Sequence, residues 1–301
     1  MENSCKYVSS IGLAKSMDIT KYKDKSYQEI NLENMFDSCT IYIKIDEFQF
    51  LKKLLNSNSI KYRFILVTGD NDYEVFKDIF NSKDEFEIFI SNDLIIHWFA
   101  QNLNFLHKKI SNLPIGLDYH TIYRNINHCW GDNQLPIEQE EMLINIRKDS
   151  KHFSERKRKG YVNFQYRELY KYAYDRKEAL NELSNEIIFK ESTFVKRIDT
   201  WKNQIEYSFV ISPFGNGLDC HRTWESLVLG CIPIVKTSGL DSLFEDLPVL
   251  IINKWSDITQ ELLNETIDKF SNMEKDFKYE KLLLKYWIDK INSYKNNYKI
   301  I

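Results

Sequence analysis

Residues 208–235 run Ser-Phe-Val-Ile-Ser-Pro-Phe-Gly-Asn-Gly-Leu-Asp-Cys-His-Arg-Thr-Trp-Glu-Ser-Leu-Val-Leu-Gly-Cys-Ile-Pro-Ile-Val. This order reads as a buried strand, a glycine loop, a helix and a second buried strand. Of the 9 Gly and 5 Pro in the chain, Gly215, Gly217, Gly230, Gly239, Pro213, Pro233 and Pro248 all lie between Pro213 and Pro248. Backbone-shaping residues are therefore concentrated in one place. Polar side chains fill the loop and the first helical turn. In an α/β sheet, that corner is where phosphate-bearing ligands meet a helix N-terminus.

Gly215 and Gly217 flank Asn216, and both residue types tolerate positive φ, so the chain is expected to turn sharply and aim amides at a ligand. Asp219 is the expected N-cap of a helix over Cys220–Leu229. His221 and Arg222 then fall in the first turn, where the helix dipole disfavours cations. A bound diphosphate would offset that penalty. At about 100° per residue, His221, Arg222 and Glu225 share one face, with Trp224, Leu227 and Cys231 broadly opposite. Two readings remain open from the residues. Arg222 and Glu225 contact a nucleotide, or they form an i,i+3 ion pair on a solvated face. Gly230 is expected to stop the helix.

Working outward, strands are expected at Thr40–Ile45, Arg63–Thr68, Phe86–Ile90, Tyr161–Phe164, Ile187–Phe189, Ser208–Ser212, Ile232–Val235 and Val249–Ile252. Helices are expected at Phe48–Leu55, Tyr73–Phe80, Tyr166–Ser184, Phe194–Tyr207 and Asp257–Phe270, the last with Ser256 as N-cap. Alternation of this kind implies parallel βαβ units. At 301 residues the chain has room for two domains. The expected division is 1–150, 151–275, and a helical tail over 276–301 that packs back on the body. Residues 1–38 read as an arm or an irregular first element. Residues 132–159 read as a solvated connector whose basic end, Arg156–Lys159, has phosphate or membrane contact as its other reading.

A net charge of −3 gives no case for nucleic-acid binding. Five cysteines without a CxxC pair suggest free thiols rather than a zinc site or a disulfide framework. No signal-peptide core or membrane-spanning apolar run is present, so a cytoplasmic protein is expected. There is no Walker A sequence, and no GxGxxG follows the first strand.

The signature Ser212-Pro213, Gly215-Asn216-Gly217, Asp219-Cys220-His221-Arg222-Thr223-Trp224-Glu225 and Gly230-Cys231-Ile232-Pro233 resembles the exostosin-like glycosyltransferases, especially small viral and microbial members. The likeness continues through Leu240-Asp241-Ser242-Leu243-Phe244-Glu245-Asp246-Leu247-Pro248 and covers about 50 residues. It implies a GT-B-like α/β fold, two Rossmann-like domains facing a cleft, with the nucleotide-sugar donor on the C-terminal one. It implies an inverting transfer to a hydroxyl of a glycan or glycoconjugate, without a metal or other cofactor. A UDP-sugar is expected ahead of a GDP-sugar. By position, Arg222 would bind the diphosphate and Glu225 the ribose or sugar, Gly215, Asn216 and Gly217 would form the donor loop, and Ser212, Pro213, Asp219, His221 and Thr223 would line the donor site with them. Asn163, Arg167 and Arg176 would open the donor domain.

Inverting transfer needs a base for the acceptor hydroxyl. Candidates following expected strands are Asp70, Asp72, His97, Asp118 and His120. Asp70 and Asp118 rank first because each follows a glycine after an apolar run. Asp70–Asp72 combined with Asp118–His120 fits no compact metal motif. The DxD form of Asp70-Asn71-Asp72, which would suggest a metal-bound sugar nucleotide on the other major transferase fold, is set aside because two Rossmann-like halves leave the donor elsewhere. A catalytically inactive nucleotide- or glycan-binding module of the same fold is the alternative function.

Overall fold

The computed structural model of the protein describes residues 2–23, 26–27 and 32–297. Parts of the expected arm (24–25 and 28–31) and of the tail (298–301) lie outside the described residues. The chain divides into two compact units, Glu2–Ile115 with the chain from Leu283 onward, and Gly116–Leu282. The expected boundary near residue 150 falls inside the second of these.

The first unit begins with α1 (Ser10–Lys15), where an irregular arm is expected. Ser9 caps it by accepting from the Gly12 N–H, and Ile11, Leu13 and Ala14 are buried. A short antiparallel pair follows, β1 (Tyr22–Lys23) with β2 (Ser26–Tyr27). The main sheet is β3 (Cys39–Lys44), β4 (Phe64–Gly69), β5 (Ile95–Ala100) and β6 (Ile110–Asn112), paired in that order and all parallel. β3, β4 and β5 are near-continuous apolar runs because they are buried along their length. Helix α2 (Phe48–Asn56) places Phe48 against Trp98 with ring centroids 5.1 Å apart.

Two expectations fail here. Phe86–Ile90 is not a strand but part of α3 (Lys83–Ile90). Phe86, Ile88 and Ile90 alternate like a strand, yet Phe86, Phe89 and Ile90 are the buried set and Ile88 is 77% exposed. Ser82 starts the helix by accepting from the Glu85 N–H. Tyr73–Phe80 is turn rather than helix. The side chains of Asn71 and Asp78 accept the N–H groups of Tyr73 and Glu74, local bonds that compete with helix.

β5 carries His97, which is 4% exposed, with its ring 4.1 Å from that of Tyr294. Burial, with Lys290, Lys109 and His107 adding, lowers its pKa to about 4. The unfolded chain takes up this proton near pH 6.5, and the folded chain refuses it until about pH 4. Stability from this site is thus complete above about pH 6.5 and falls by about 3 kcal/mol on the way to pH 4. Urea unfolding of His97→Phe at pH 7 and pH 4.5 should show a correspondingly flatter pH dependence than wild type.

The second unit opens with α4 (His120–Arg124) and α5 (Pro136–Lys148). Its sheet is built from β7 (Lys157–Val162), β8 (Ile188–Lys190), β9 (Tyr207–Ile211), β10 (Ile232–Lys236) and β11 (Leu250–Ile252). The spatial order is β8-β7-β9-β10-β11, all parallel. In chain order this is 2-1-3-4-5, a doubly wound sheet whose topological switch point lies between β7 and β9. α6 (Ala173–Glu182), α7 (Arg197–Gln204), α8 (His221–Val228), α9 (Asp241–Phe244) and α10 (Gln260–Asn272) complete the unit. The chain is therefore α/β with two Rossmann-like units.

Several boundaries differ from expectation. α6 covers only part of 166–184, leaving residues 163–172 without helix or strand. α10 starts at Gln260, because Thr259 rather than Ser256 accepts the capping N–H, from Leu262. The tail breaks into a 3-10 turn at Tyr279–Leu282 and then α11 (Leu284–Asn297), which packs on the first unit's sheet and α1. Residues 132–159 are not a solvated connector. They hold α5, and Arg156 is buried, donating to the carbonyls of Lys151 and Leu229 and to the Cys231 sulfur. Lys157, Arg158 and Lys159 instead line a groove of about 760 Å³ with Lys190, Phe189 and Tyr207.

Candidate active site

The C-terminal ends of β7 and β9 flank the switch point, the position where doubly wound sheets bind ligands. β7 delivers Asn163 there, and β9 delivers Ser212 and the loop to Gly217. The Ser212 and Thr223 hydroxyls lie 2.8 Å apart, tying the strand end to the first turn of α8. The Pro213 carbonyl accepts from the Cys220 thiol. The buried Asp175 carboxylate accepts from the Phe214 N–H at 2.9 Å and the Trp255 indole at 2.8 Å. Gly215 donates to the Gly217 carbonyl at 2.9 Å. The Asn216 side chain accepts from the Lys171 N–H.

Gly215 acts through space rather than through φ. Neither Gly215 nor Gly217 has positive φ. A Cβ on Gly215 would stand 3.0 Å from the Arg176 guanidinium and 3.2 Å from the Cys220 sulfur. Positive φ occurs instead at Gly230. Its N–H bonds the Leu227 carbonyl while Cys231 bonds Ser226, a Schellman ending for α8.

Cys220, not Asp219, is the N-cap, and it offers no capping side-chain bond. The Asp219 carboxylate turns inward to accept the Trp224 indole N–H at 2.9 Å. Arg222 in the first turn makes one long bond, to the Pro213 carbonyl at 3.4 Å. Arg176 donates to the carbonyls of Phe214 and Gln165. The two guanidiniums share the Phe164 ring, at 5.4 Å for Arg222 and 5.8 Å for Arg176. Among the described residues, neither has a carboxylate within ion-pair distance. Burial lowers the Arg222 pKa to about 10, with Arg176 adding to the shift and Cys220 and Glu225 opposing it. Nearby, the Asn163 Oδ1 is buried without a hydrogen-bond partner. Orphaned polar atoms of this kind call for a ligand or a water. Arg167 stays on the exposed surface against Gln165 and Tyr170.

Glu225 does not pair with Arg222. It accepts from Arg197 at 2.7 Å, both side chains being nearly buried. Arg197 also lies 3.9 Å from Asp118 and stands over the rings of Trp130 and Trp201, 5.2 Å from each. Burial would lower its pKa, but Glu225 and Asp118 outweigh that and raise it. Sequence reading missed Arg197. Its one trace is a cation at the first position of a helix, where the dipole disfavours it.

Asp118 is 4% exposed. Burial would raise its pKa, yet His120, Arg197, His221 and the Thr121 side chain hold it well below the carboxylate range. His120 Nδ1 is 3.3 Å from it, and the His120 and His221 rings are 6.2 Å apart. The structure thus brings Asp118, His120, His221, Arg222 and Glu225 together in the second unit. Asp70 belongs to the first unit. It sits at φ 55°, accepts from the Tyr22 hydroxyl and lies 3.9 Å from Lys44. Asp72 is half-buried in the same unit. No group of three His, Cys, Asp or Glu among the described residues is placed to hold a metal ion. No helix among them is long and apolar enough to cross a membrane.

No protein-family model matches the chain, and no curated protein matches it. One solved structure of similar outline is described as trehalose-6-phosphate from E. coli bound with UDP-2-fluoro glucose. It is 11% identical with a TM-score of 0.37, covering 89% of this chain and 74% of that one, a likeness too loose to bear on function.

Proposed function

We propose that this protein is a nucleotide-sugar-dependent glycosyltransferase whose donor diphosphate binds at the switch point of the second unit. The observation that carries the reading is the pair Arg176 and Arg222. Two guanidiniums meet one aromatic ring beside a helix N-terminus without a side-chain cap, with no carboxylate of the described residues on either. Such a pair is repulsive until an anion arrives. Asn163 adds a buried Oδ1 with no hydrogen-bond partner among the described residues at the same strand ends. Glu225 Oε1 is held by Arg197, and Oε2 makes no bond among the described residues, so it is left to accept from a ribose or sugar hydroxyl. The sequence signature from Ser212 to Pro248 points to the same chemistry.

In this mechanism Arg222, Arg176 and the first amides of α8 take up the charge that develops on the leaving diphosphate. The finer reading is an inverting transfer without a metal, from a UDP-sugar ahead of a GDP-sugar, to a hydroxyl of a glycan or glycoconjugate. A panel of UDP- and GDP-sugars, assayed for hydrolysis and for transfer, tests it. One donor should turn over. Saturable donor binding without turnover, across all acceptors, would favour the non-catalytic binding module, and no binding of any donor would sink both.

A further inference from the structure

We propose that His221 is the proton acceptor for the incoming hydroxyl, an assignment that rests on the glycosyltransferase reading above. The sequence places candidate bases after the strands of the N-terminal half. Asp118, which ranked with Asp70, fails on geometry. It is buried, and its oxygens face Arg197, His120 and the Thr121 N–H. His221 has the opposite character. Its Nδ1 lies 2.8 Å from the Gly116 carbonyl oxygen. A carbonyl only accepts, so Nδ1 carries the hydrogen, and in the neutral ring Nε2 holds the lone pair. Nε2 makes no hydrogen bond among the described residues. The ring is half-buried on the first turn of α8, next in sequence to Arg222 and one helical turn before Glu225.

The step balances as follows. Nε2 takes the hydroxyl proton as the acceptor oxygen forms its bond to the anomeric carbon. The bond from that carbon to the diphosphate oxygen breaks, and its electron pair leaves on the diphosphate, facing Arg222 and Arg176. The imidazolium keeps its Nδ1 bond to Gly116 and later releases the proton to water.

The charges around His221 are set by three elements. The loop from Gly116 brings Asp118 and His120, α8 itself brings Arg222 and Glu225, and α7 brings Arg197. α5 and the Tyr279–Leu282 turn also touch α8. Arg147 of α5 reaches Gly230 at the far end of the helix, and Lys281 of the turn bonds the Glu245 carbonyl. Asp118 is the charge that senses His221 directly, since His221 is among the groups holding it ionised. His120 Nδ1 lies 3.3 Å from Asp118, while the Gly116 carbonyl is what holds the His221 ring.

The test uses the full chain with the donor that the panel identifies. His221→Asn retains an amide N–H where Nδ1 meets Gly116 and removes the Nε2 lone pair. Its kcat for transfer should fall about 100- to 10,000-fold, with the acid limb of the kcat–pH profile lost. Its donor Kd by calorimetry should stay within about threefold of wild type. Added imidazole should restore part of the activity of His221→Gly. Transfer by His221→Asn within about threefold of wild type, with the acid limb intact, would overturn the assignment. Loss of donor binding in His221→Asn would overturn it too, making His221 a donor ligand. Failure of wild type to bind any nucleotide sugar would instead remove the glycosyltransferase reading beneath it.

Discussion

Arg222→Ala is expected to reduce sugar transfer about 100- to 1,000-fold, equivalent to ~3–4 kcal/mol of lost transition-state stabilisation. On the proposed function the guanidinium meets a charge that grows as the diphosphate leaves, so kcat should fall along with kcat/KM. The same substitution is expected to leave thermal stability of the ligand-free protein unchanged or slightly raised. Among the described residues Arg222 has no carboxylate partner, its charge is disfavoured by burial, and Arg176 repels it. A residue that costs stability without ligand and is required with it marks a binding site. Arg222→Lys should recover little, because a point charge does not reproduce a planar fork at a diphosphate. The check is steady-state kinetics together with a melting curve, with and without the nucleoside diphosphate. A variant that melts much earlier and transfers normally would assign Arg222 to structure instead.

Arg197→Met should destabilise the second unit by about 3–5 kcal/mol at pH 7. Removing the cation strands Glu225 and Asp118, two nearly buried carboxylates that share it. Much of the loss should return in the double variant with Glu225→Gln, because one stranded charge is then gone. The pH dependence has a definite sign. The folded Asp118 pKa lies below its unfolded value near 3.9, so its contribution is complete above about pH 4 and is lost as pH falls through the lower folded value. Arg197→Met weakens one of the attractions behind that shift. Wild type and variant should therefore converge in stability as the solution is acidified. Urea unfolding at pH 7 and at about pH 2 measures this. A loss below about 1 kcal/mol at neutral pH would show that the ion pair contributes little.

The decisive stretch was legible because its punctuation is local. Ser212-Pro213 ends a strand, Gly230 ends a helix, and the apolar runs on either side are continuous. Phe86–Ile90 was not, because Phe86, Ile88 and Ile90 alternate and the true buried set includes Phe89. Asp219 was read as a cap from its position before the helix, but the Trp224 indole takes its carboxylate instead. Asp118 is marked in the sequence by the glycine and apolar run before it, but its burial and its approach to Arg197 and His120 are tertiary contacts that local sequence does not encode. Arg197 was invisible for a different reason. It lies 28 residues before Glu225, and only the packing of α7 beside α8 joins them. The second unit's limits were hidden by the return of α11 to the first unit's sheet, a long-range contact that periodicity does not encode.

Diffraction from crystals of the full chain grown with UDP and, separately, with GDP tests the central claim most directly. The account predicts diphosphate oxygens within hydrogen-bond distance of the Arg222 and Arg176 guanidiniums and of the first amide groups of α8. A nucleotide seated elsewhere on the protein, with Arg222 and Arg176 untouched, would contradict it.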